Sequence, residues 1–249
     1  MSLKQLQKNW DEFGDIDPLF AILQCKEKQY NKWNIGEFFE TGAREIENFM
    51  RVSTKLGHPM QRESALDFGC GVGRLTRALS RYFNQSYGID ISASMIKKAQ
   101  ELNQSYPNCQ FIFNDKADLR LFSDNQFDVV YTNLVLQHLL KKSLIKAYIE
   151  ELYRVLNEDG LLMFQLPHYL PYRNRMQIYR WAYSLLRKAG LSAKYLYKRW
   201  GLEPTAMGFI PEKEVIALLN SLDASILEVQ HDFSAGHGNL SRKYYVTKR

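Results

Sequence analysis

Cysteine is scarce in this chain: Cys25, Cys70 and Cys109 are the three among 249 residues. Their number is odd and no pair has metal-ligand spacing, which argues against a disulfide framework and a zinc knuckle and fits a reducing cytoplasm. No acid–histidine cluster suggests a metal either, so none is expected. The opening MSLKQLQKNWDEF has no apolar run after its lysines, unlike a secretory leader. Nowhere does the chain approach the roughly 20 consecutive apolar residues of a transmembrane helix. A soluble, cytoplasmic protein is expected. Internal repeats and low-complexity tracts are also lacking. From Gly160 to Leu202 there is no aspartate or glutamate at all. The net charge of +6 and pI near 9.1 suit an anionic partner without identifying one.

What is present is a core-sized share of apolar residues, 45%, enough for a large domain to fold without covalent staples. Residues 1–60 read as a helical cap rich in rings: Trp10, Phe13, Phe20, Tyr30, Trp33, Phe38, Phe39 and Phe49. Gly57-His58-Pro59 breaks that pattern. From Ser64 onward strand and helix alternate. Ser64 to Phe68 runs into a glycine turn, Arg74 to Phe83 is helical, and Tyr87 to Asp90 is a strand. Ser92 caps a helix from Ala93 to Asn103, and Gln110 to Phe113 is a third strand. Phe127 to Thr132 is continuously apolar in the manner of a buried parallel strand. A helix over Lys142 to Leu156, a turn at Asn157 to Gly160 and a fifth strand, Leu161 to Leu166, follow. A helix over Pro211 to Leu222 then precedes two closing strands, Ile226 to Asp232 and Lys243 to Lys248, expected as an antiparallel pair at the sheet edge. The fold class expected is α/β: a doubly wound, mostly parallel, seven-stranded Rossmann-like sheet. A helical cap precedes it, and a helical lid, residues 167–210, is inserted after strand five in a domain spanning 61–249. Ligands of such sheets bind outside the carboxyl ends of the strands.

Four groups stand at those ends. Asp67-Phe-Gly69-Cys-Gly71-Val-Gly73 joins a strand to a helix, and its glycines let a ligand approach the backbone. A dinucleotide fingerprint would need glycine at position 74, where Arg74 stands. Asp90 ends the next strand, 17 residues after Gly73, where a carboxylate can accept two hydrogen bonds from vicinal hydroxyls. Asn114-Asp115-Lys116-Ala117-Asp118 follows the third strand, and Asn133-Leu-Val-Leu-Gln137-His138 the fourth.

In this order the D-x-G-x-G-x-G turn and the segments after it resemble the class I S-adenosylmethionine-dependent methyltransferases, over about Ser64 to Leu166. The resemblance implies S-adenosylmethionine as cofactor. It implies that Gly69, Cys70, Gly71 and Gly73 hold its methionine and ribose parts, with Asp67 in the network around its ammonium. It further implies that Asp90 binds the ribose hydroxyls with Ile91 and Met95 beside it, that Asp115 and the Lys116 or Ala117 amide meet the adenine, and that Asn133 lies over the cofactor. Asp118 is a rival to Asp115 in that register. The fourth segment has no Asn-Pro-Pro-Tyr, which argues against an adenine-amine or glutamine acceptor.

A hydroxyl or protonated-amine acceptor needs a general base. Histidine titrates near neutrality, and His138, His168 and His237 are the candidates, His138 first. In the acid-free stretch lie eight basic residues, among them Arg173, Arg180, Arg187 and Lys188, with six tyrosines and two tryptophans. From Asn174 to Ala189, Gln177, Arg180, Ser184, Arg187 and Lys188 share one helical face and Ile178, Ala182, Leu185 and Ala189 the opposite one, a basic amphipathic helix. As a lid it would hold a small acceptor, anionic or polar. RNA, or a lipid acceptor at a membrane surface, is the alternative. An NAD(P)-dependent oxidoreductase is opposed by Arg74, and a non-catalytic binding protein by the intact glycine turn and Asp90.

Overall fold

The computed structural model describes residues 2–236 and 238–248. Helix α1 (Leu3–Ile16) starts where the Ser2 hydroxyl accepts from the Gln5 amide at 3.2 Å. Helix α2 (Pro18–Ile22) carries proline in its first turn, where no amide partner is lost. Helix α3 (Ile35–Leu56) ends on Gly57 in the left-handed conformation. The sheet strands are β1 (Ser64–Phe68), β2 (Gln85–Asp90), β3 (Cys109–Phe113), β4 (Phe127–Thr132), β5 (Leu156–Tyr169), β6 (Ser225–Asp232) and β7 (Leu240–Thr247). Between them run α4 (Arg74–Leu79), α5 (Ala93–Leu102), α6 (Lys142–Arg154), α7 (Tyr172–Met176), α8 (Ile178–Lys188), α9 (Ala193–Trp200) and α10 (Glu212–Ser221).

The seven strands lie in the order β3-β2-β1-β4-β5-β7-β6. Neighbours from β3 to β5 pair in parallel, and β7 pairs antiparallel with both β5 and β6. The closing pair therefore sits at the edge with β6 outermost. Strand side chains alternate between faces. Leu161, Met163 and Tyr245 meet Ile46, Phe49 and Met50 of α3 on one face. Leu162, Phe164, Leu166, Tyr244 and Val246 meet Ile149 and Leu152 of α6 and Val215 and Leu219 of α10 on the other. Helix α3 thus serves as a layer of the sandwich, while α1 packs along α5 and α2.

Strand β5 is longer than expected. The segment Asn157 to Gly160, expected as a turn, lies inside it. The sequence there looks like a turn, and Asp159 does take a left-handed φ of 56°. Long-range bonds hold it in the sheet: Asn157 Nδ2 donates to Asp128 at 2.7 Å and the Asp159 amide to the Lys248 carbonyl at 2.9 Å. Pairing with β4 accordingly jumps from Leu156 to Leu161.

After β5 the chain leaves the sheet as α7, α8 and α9 and returns as an extended strap to α10. The lid is tied to the N-terminal helices by the Arg187–Glu12 ion pair at 2.6 Å and the Tyr197 hydroxyl on Asp17 at 2.6 Å. The strap is pinned where the Gly208 amide donates to the Gln137 carbonyl at 2.5 Å. A β-carbon on Gly208 would lie 1.9 Å from the Leu139 carbonyl oxygen, so glycine alone fits there.

Candidate active site

Strand order reverses between β1 and β4, and a cavity opens beyond their carboxyl ends, as expected of open α/β sheets. Its empty space is about 1040 Å³, open solvent at the mouth included, of the size that small-molecule sites have. The floor is the glycine turn. Gly69 and Gly71 take φ of 78° and 55°, and a β-carbon on Gly69 would stand 2.4 Å from Val135. The bare turn is what lets the β4 loop and a ligand share this space.

Asp90 stands beside the turn. Its two carboxylate oxygens accept from the Gly71 and Ser92 amides, each at 2.8 Å. Burial raises its pKa to about 6, against the lowering effect of those two amides. A carboxylate so held has a lone pair left on each oxygen for a pair of ligand hydroxyls. Asp67, by contrast, receives the Thr76 hydroxyl at 2.7 Å and does not line the cavity. Burial pushes its pKa up to about 7.

At the other end lies a charged cluster. Arg74 reaches Glu45 at 2.8 Å, and the second Glu45 oxygen accepts from the Tyr131 hydroxyl at 2.9 Å and Asn133 Nδ2 at 2.7 Å. Burial raises the Glu45 pKa, but Arg74, Asn133 and Tyr131 outweigh it and hold the carboxyl below its ordinary value. Arg74 Nε and Asn133 Oδ1 are buried without partners, and both residues line the cavity. An unmatched donor and an unmatched acceptor, on two side chains that both bond Glu45, suit a zwitterionic group. Arg74→Met would leave the partly buried Glu45 without its cation, held only by Tyr131 and Asn133, and is expected to cost up to about 3 kcal/mol of stability, read by urea denaturation. Glu45→Gln on that background should restore most of the loss. A single variant as stable as the parent would show that the pair contributes nothing.

A second, larger cavity adjoins the first and shares Ala21, Ile22, Asn133, Leu134 and His138 with it. Its walls include Glu45, Gln137 and, from the lid, Arg173, Tyr179 and Arg180. His138 stands at the junction. Its Nδ1 lies 2.8 Å from the Ala206 carbonyl, which can only accept, so Nδ1 carries the proton and Nε2 keeps its lone pair. Burial lowers the His138 pKa, partly offset by the Ala206 and Leu134 carbonyls, so the ring is neutral at pH 7.

Of the residues singled out in the sequence, Gly69, Cys70, Gly71, Asp90, Ile91, Met95, Lys116, Asn133 and His138 come together around the first cavity. Asp115 forms an ion pair with Lys116 at 3.2 Å, and neither it nor Ala117 lines the cavity. The neighbour that does is Asn114, whose Nδ2 donates to the Asp118 carbonyl at 2.8 Å. Gly73 supports the turn from behind, packed on Phe111 and Asn103. His168 lies outside both cavities, its pKa lowered by burial and by Arg242. His237 falls outside the described residues. Sequence reasoning missed Glu45 and Arg74; it expected the N-terminal helices to close the pocket through Tyr30, Trp33, Phe39 and Thr41-Gly42, whereas the roof of the first cavity is Leu3, Leu6 and Trp10 of α1, with Trp33 on the second.

Residues 66–164 match a family model described as a methyltransferase domain. A phosphoethanolamine N-methyltransferase of Zea mays is 28% identical over 160 residues, 61% of this chain and 32% of that protein. A malonyl-[acyl-carrier protein] O-methyltransferase of Bacillus anthracis is 30% identical over 147 residues, 54% of this chain and 52% of that one. The chain spans about half, or less, of the length of the curated relatives it matches. Among solved structures, a magnesium protoporphyrin IX methyltransferase of Synechocystis with bound SAH superposes over 99% of both chains, with a TM-score of 0.64 at 20% identity.

Proposed function

We propose that this chain, whose residues 66–164 match a family model described as a methyltransferase domain, is a class I S-adenosylmethionine-dependent methyltransferase that transfers a methyl group to a small acceptor, anionic or polar. The observation that carries this reading is the junction of two cavities at Asn133, Leu134 and His138. One is built for the cofactor and the other, walled by the lid, for the acceptor.

S-adenosylmethionine, when bound, supplies a methyl group on a positively charged sulfur that leaves without assistance. The rest falls to the protein. Asp90 accepts from the ribose hydroxyls. Arg74 and Asn133 face the amino-acid end with their unmatched atoms. Asn114 and Lys116 border the adenine. Helix α1 roofs the site with Leu3, Leu6 and Trp10 and excludes water. His138 Nε2 takes the proton that a hydroxyl or ammonium acceptor must lose. Arg173 and Arg180 offer forked donors to an acceptor phosphate or carboxylate. Holding acceptor and methyl in line across the junction supplies much of the acceleration.

Calorimetric titration with S-adenosylhomocysteine, with NADH as control, tests the cofactor half. Micromolar affinity for the first and none for the second is the expected result. Binding of NADH alone would sink the proposal. The acceptor half is tested by following methyl transfer to a panel of phosphorylated and carboxylated amines and alcohols, matched with uncharged analogues. Preference for the uncharged set would remove Arg173 and Arg180 from acceptor recognition.

A further inference from the structure

Helix α8 is turned opposite to the way an amphipathic helix normally sits on a protein. Its inward face is Tyr183 with Leu186 beside it, packed on Ala193 and Leu196 of α9, with Arg187 on Glu12 of α1. Its apolar stripe faces water. Ile178, Trp181 and Leu185, spaced i, i+3 and i+7, are 54%, 64% and 69% exposed. Tyr172 and Tyr179 next to them are 76% and 79% exposed. An apolar face of this kind, left to solvent, marks an interaction surface.

Charge says what covers it. The lid carries eight basic residues and no acid from Gly160 to Leu202. Among the described residues, Arg187 is the one of the eight that pairs with a carboxylate. Arg180 holds Gln177 instead, and Arg175 lies over the Tyr169 and Phe209 rings. A large apolar stripe flanked by cations that lack acid partners is what an interfacial helix presents to anionic lipid.

We infer that α7 and α8 dock this protein on the surface of an anionic lipid bilayer, with Ile178, Trp181 and Leu185 entering the headgroup–acyl boundary. Ile178 belongs both to this face and to the wall of the second cavity. Docking therefore sets the mouth of that cavity against the membrane. On the methyltransferase reading above, which this last consequence rests on, the acceptor is then an amphiphile with an anionic head, taken from the bilayer. The docking itself does not depend on that reading.

The test is co-sedimentation of the full chain with vesicles of phosphatidylcholine, alone or mixed with phosphatidylglycerol. The expected result is at least tenfold stronger partitioning onto the anionic vesicles, roughly fivefold per basic residue that reaches the surface. Trp181 fluorescence should shift to the blue and be quenched by brominated acyl chains, and Trp181→Phe should abolish that quenching. Trp181→Ser with Leu185→Ser should weaken partitioning roughly tenfold or more, with melting temperature and S-adenosylhomocysteine affinity unchanged because both side chains are exposed. Equal partitioning of parent and double variant would overturn the inference. So would tighter binding to single-stranded RNA than to the vesicles with no Trp181 shift, or a dimer in solution that dissociates on Trp181→Ser. Vesicle binding without S-adenosylhomocysteine binding would uphold docking and sink the methyltransferase reading alone.

Discussion

Asp90→Ala should reduce S-adenosylhomocysteine affinity by roughly a hundredfold to ten-thousandfold. The estimate takes two charge-assisted hydrogen bonds at about 1.5–3 kcal/mol each. The substitution also frees the Gly71 and Ser92 amides that the carboxylate holds at 2.8 Å, so some loss of stability is expected. Asp90→Asn separates the two effects: it keeps the shape and one acceptor oxygen, and should fold while still losing most of the affinity. The pH dependence is a sharper readout. Burial places the Asp90 pKa at about 6, above the ordinary carboxyl value of 3.8. Ligand hydroxyls donate to the ionised form, so affinity should be full above pH 6 and fall about tenfold per pH unit below it. Stability of the free protein runs the other way. A raised carboxyl pKa contributes stability that is complete below pH 3.8 and lost as pH rises through 6. Asp90→Asn should flatten the affinity profile. Unchanged affinity in both variants, or a parent profile flat from pH 7 to pH 5, would remove Asp90 from the cofactor site.

The parts of this site that were legible in the sequence are those made by neighbours in the chain. The glycine turn and Asp90 end consecutive strands, and a run such as Phe127 to Thr132 reads as a buried strand from its own composition. The parts that were not legible depend on partners far away. Arg74 read as the residue that spoils a dinucleotide fingerprint; its role came into view only with Glu45, 29 residues earlier on α3. The tautomer of His138 is set by Ala206, 68 residues later on the strap. Periodicity showed that α8 has an apolar face, but the direction of that face depends on Tyr183 finding α9 and Arg187 finding Glu12. The turn expected at Asn157 to Gly160 was decided by Asp128 and Lys248, not by its own turn-forming residues.

His138→Gln should leave S-adenosylhomocysteine affinity within twofold of the parent and lower kcat by roughly 10²–10⁴, the range general bases supply. The effect requires an acceptor that must lose a proton, found by the panel above. The argument rests on the way the ring is held. With Nδ1 donating to the Ala206 carbonyl at 2.8 Å, Nε2 is left as an acceptor, 3.5 Å from the Gln137 side-chain nitrogen, on a residue that lines both cavities. Burial lowers the pKa below the ordinary 6.5, so the base is ready at neutral pH, and the acid limb of kcat should fall below 6.5. His138→Gln should erase that limb, which a purely structural role would not do. The imidazole nitrogens report the same state without any acceptor: nitrogen-15 spectra at pH 7 should show a protonated Nδ1 and a bare Nε2. A protonated Nε2, or a variant that keeps both its rate and its acid limb, would take the proton-accepting role away from His138 and leave it as the residue that anchors the strap.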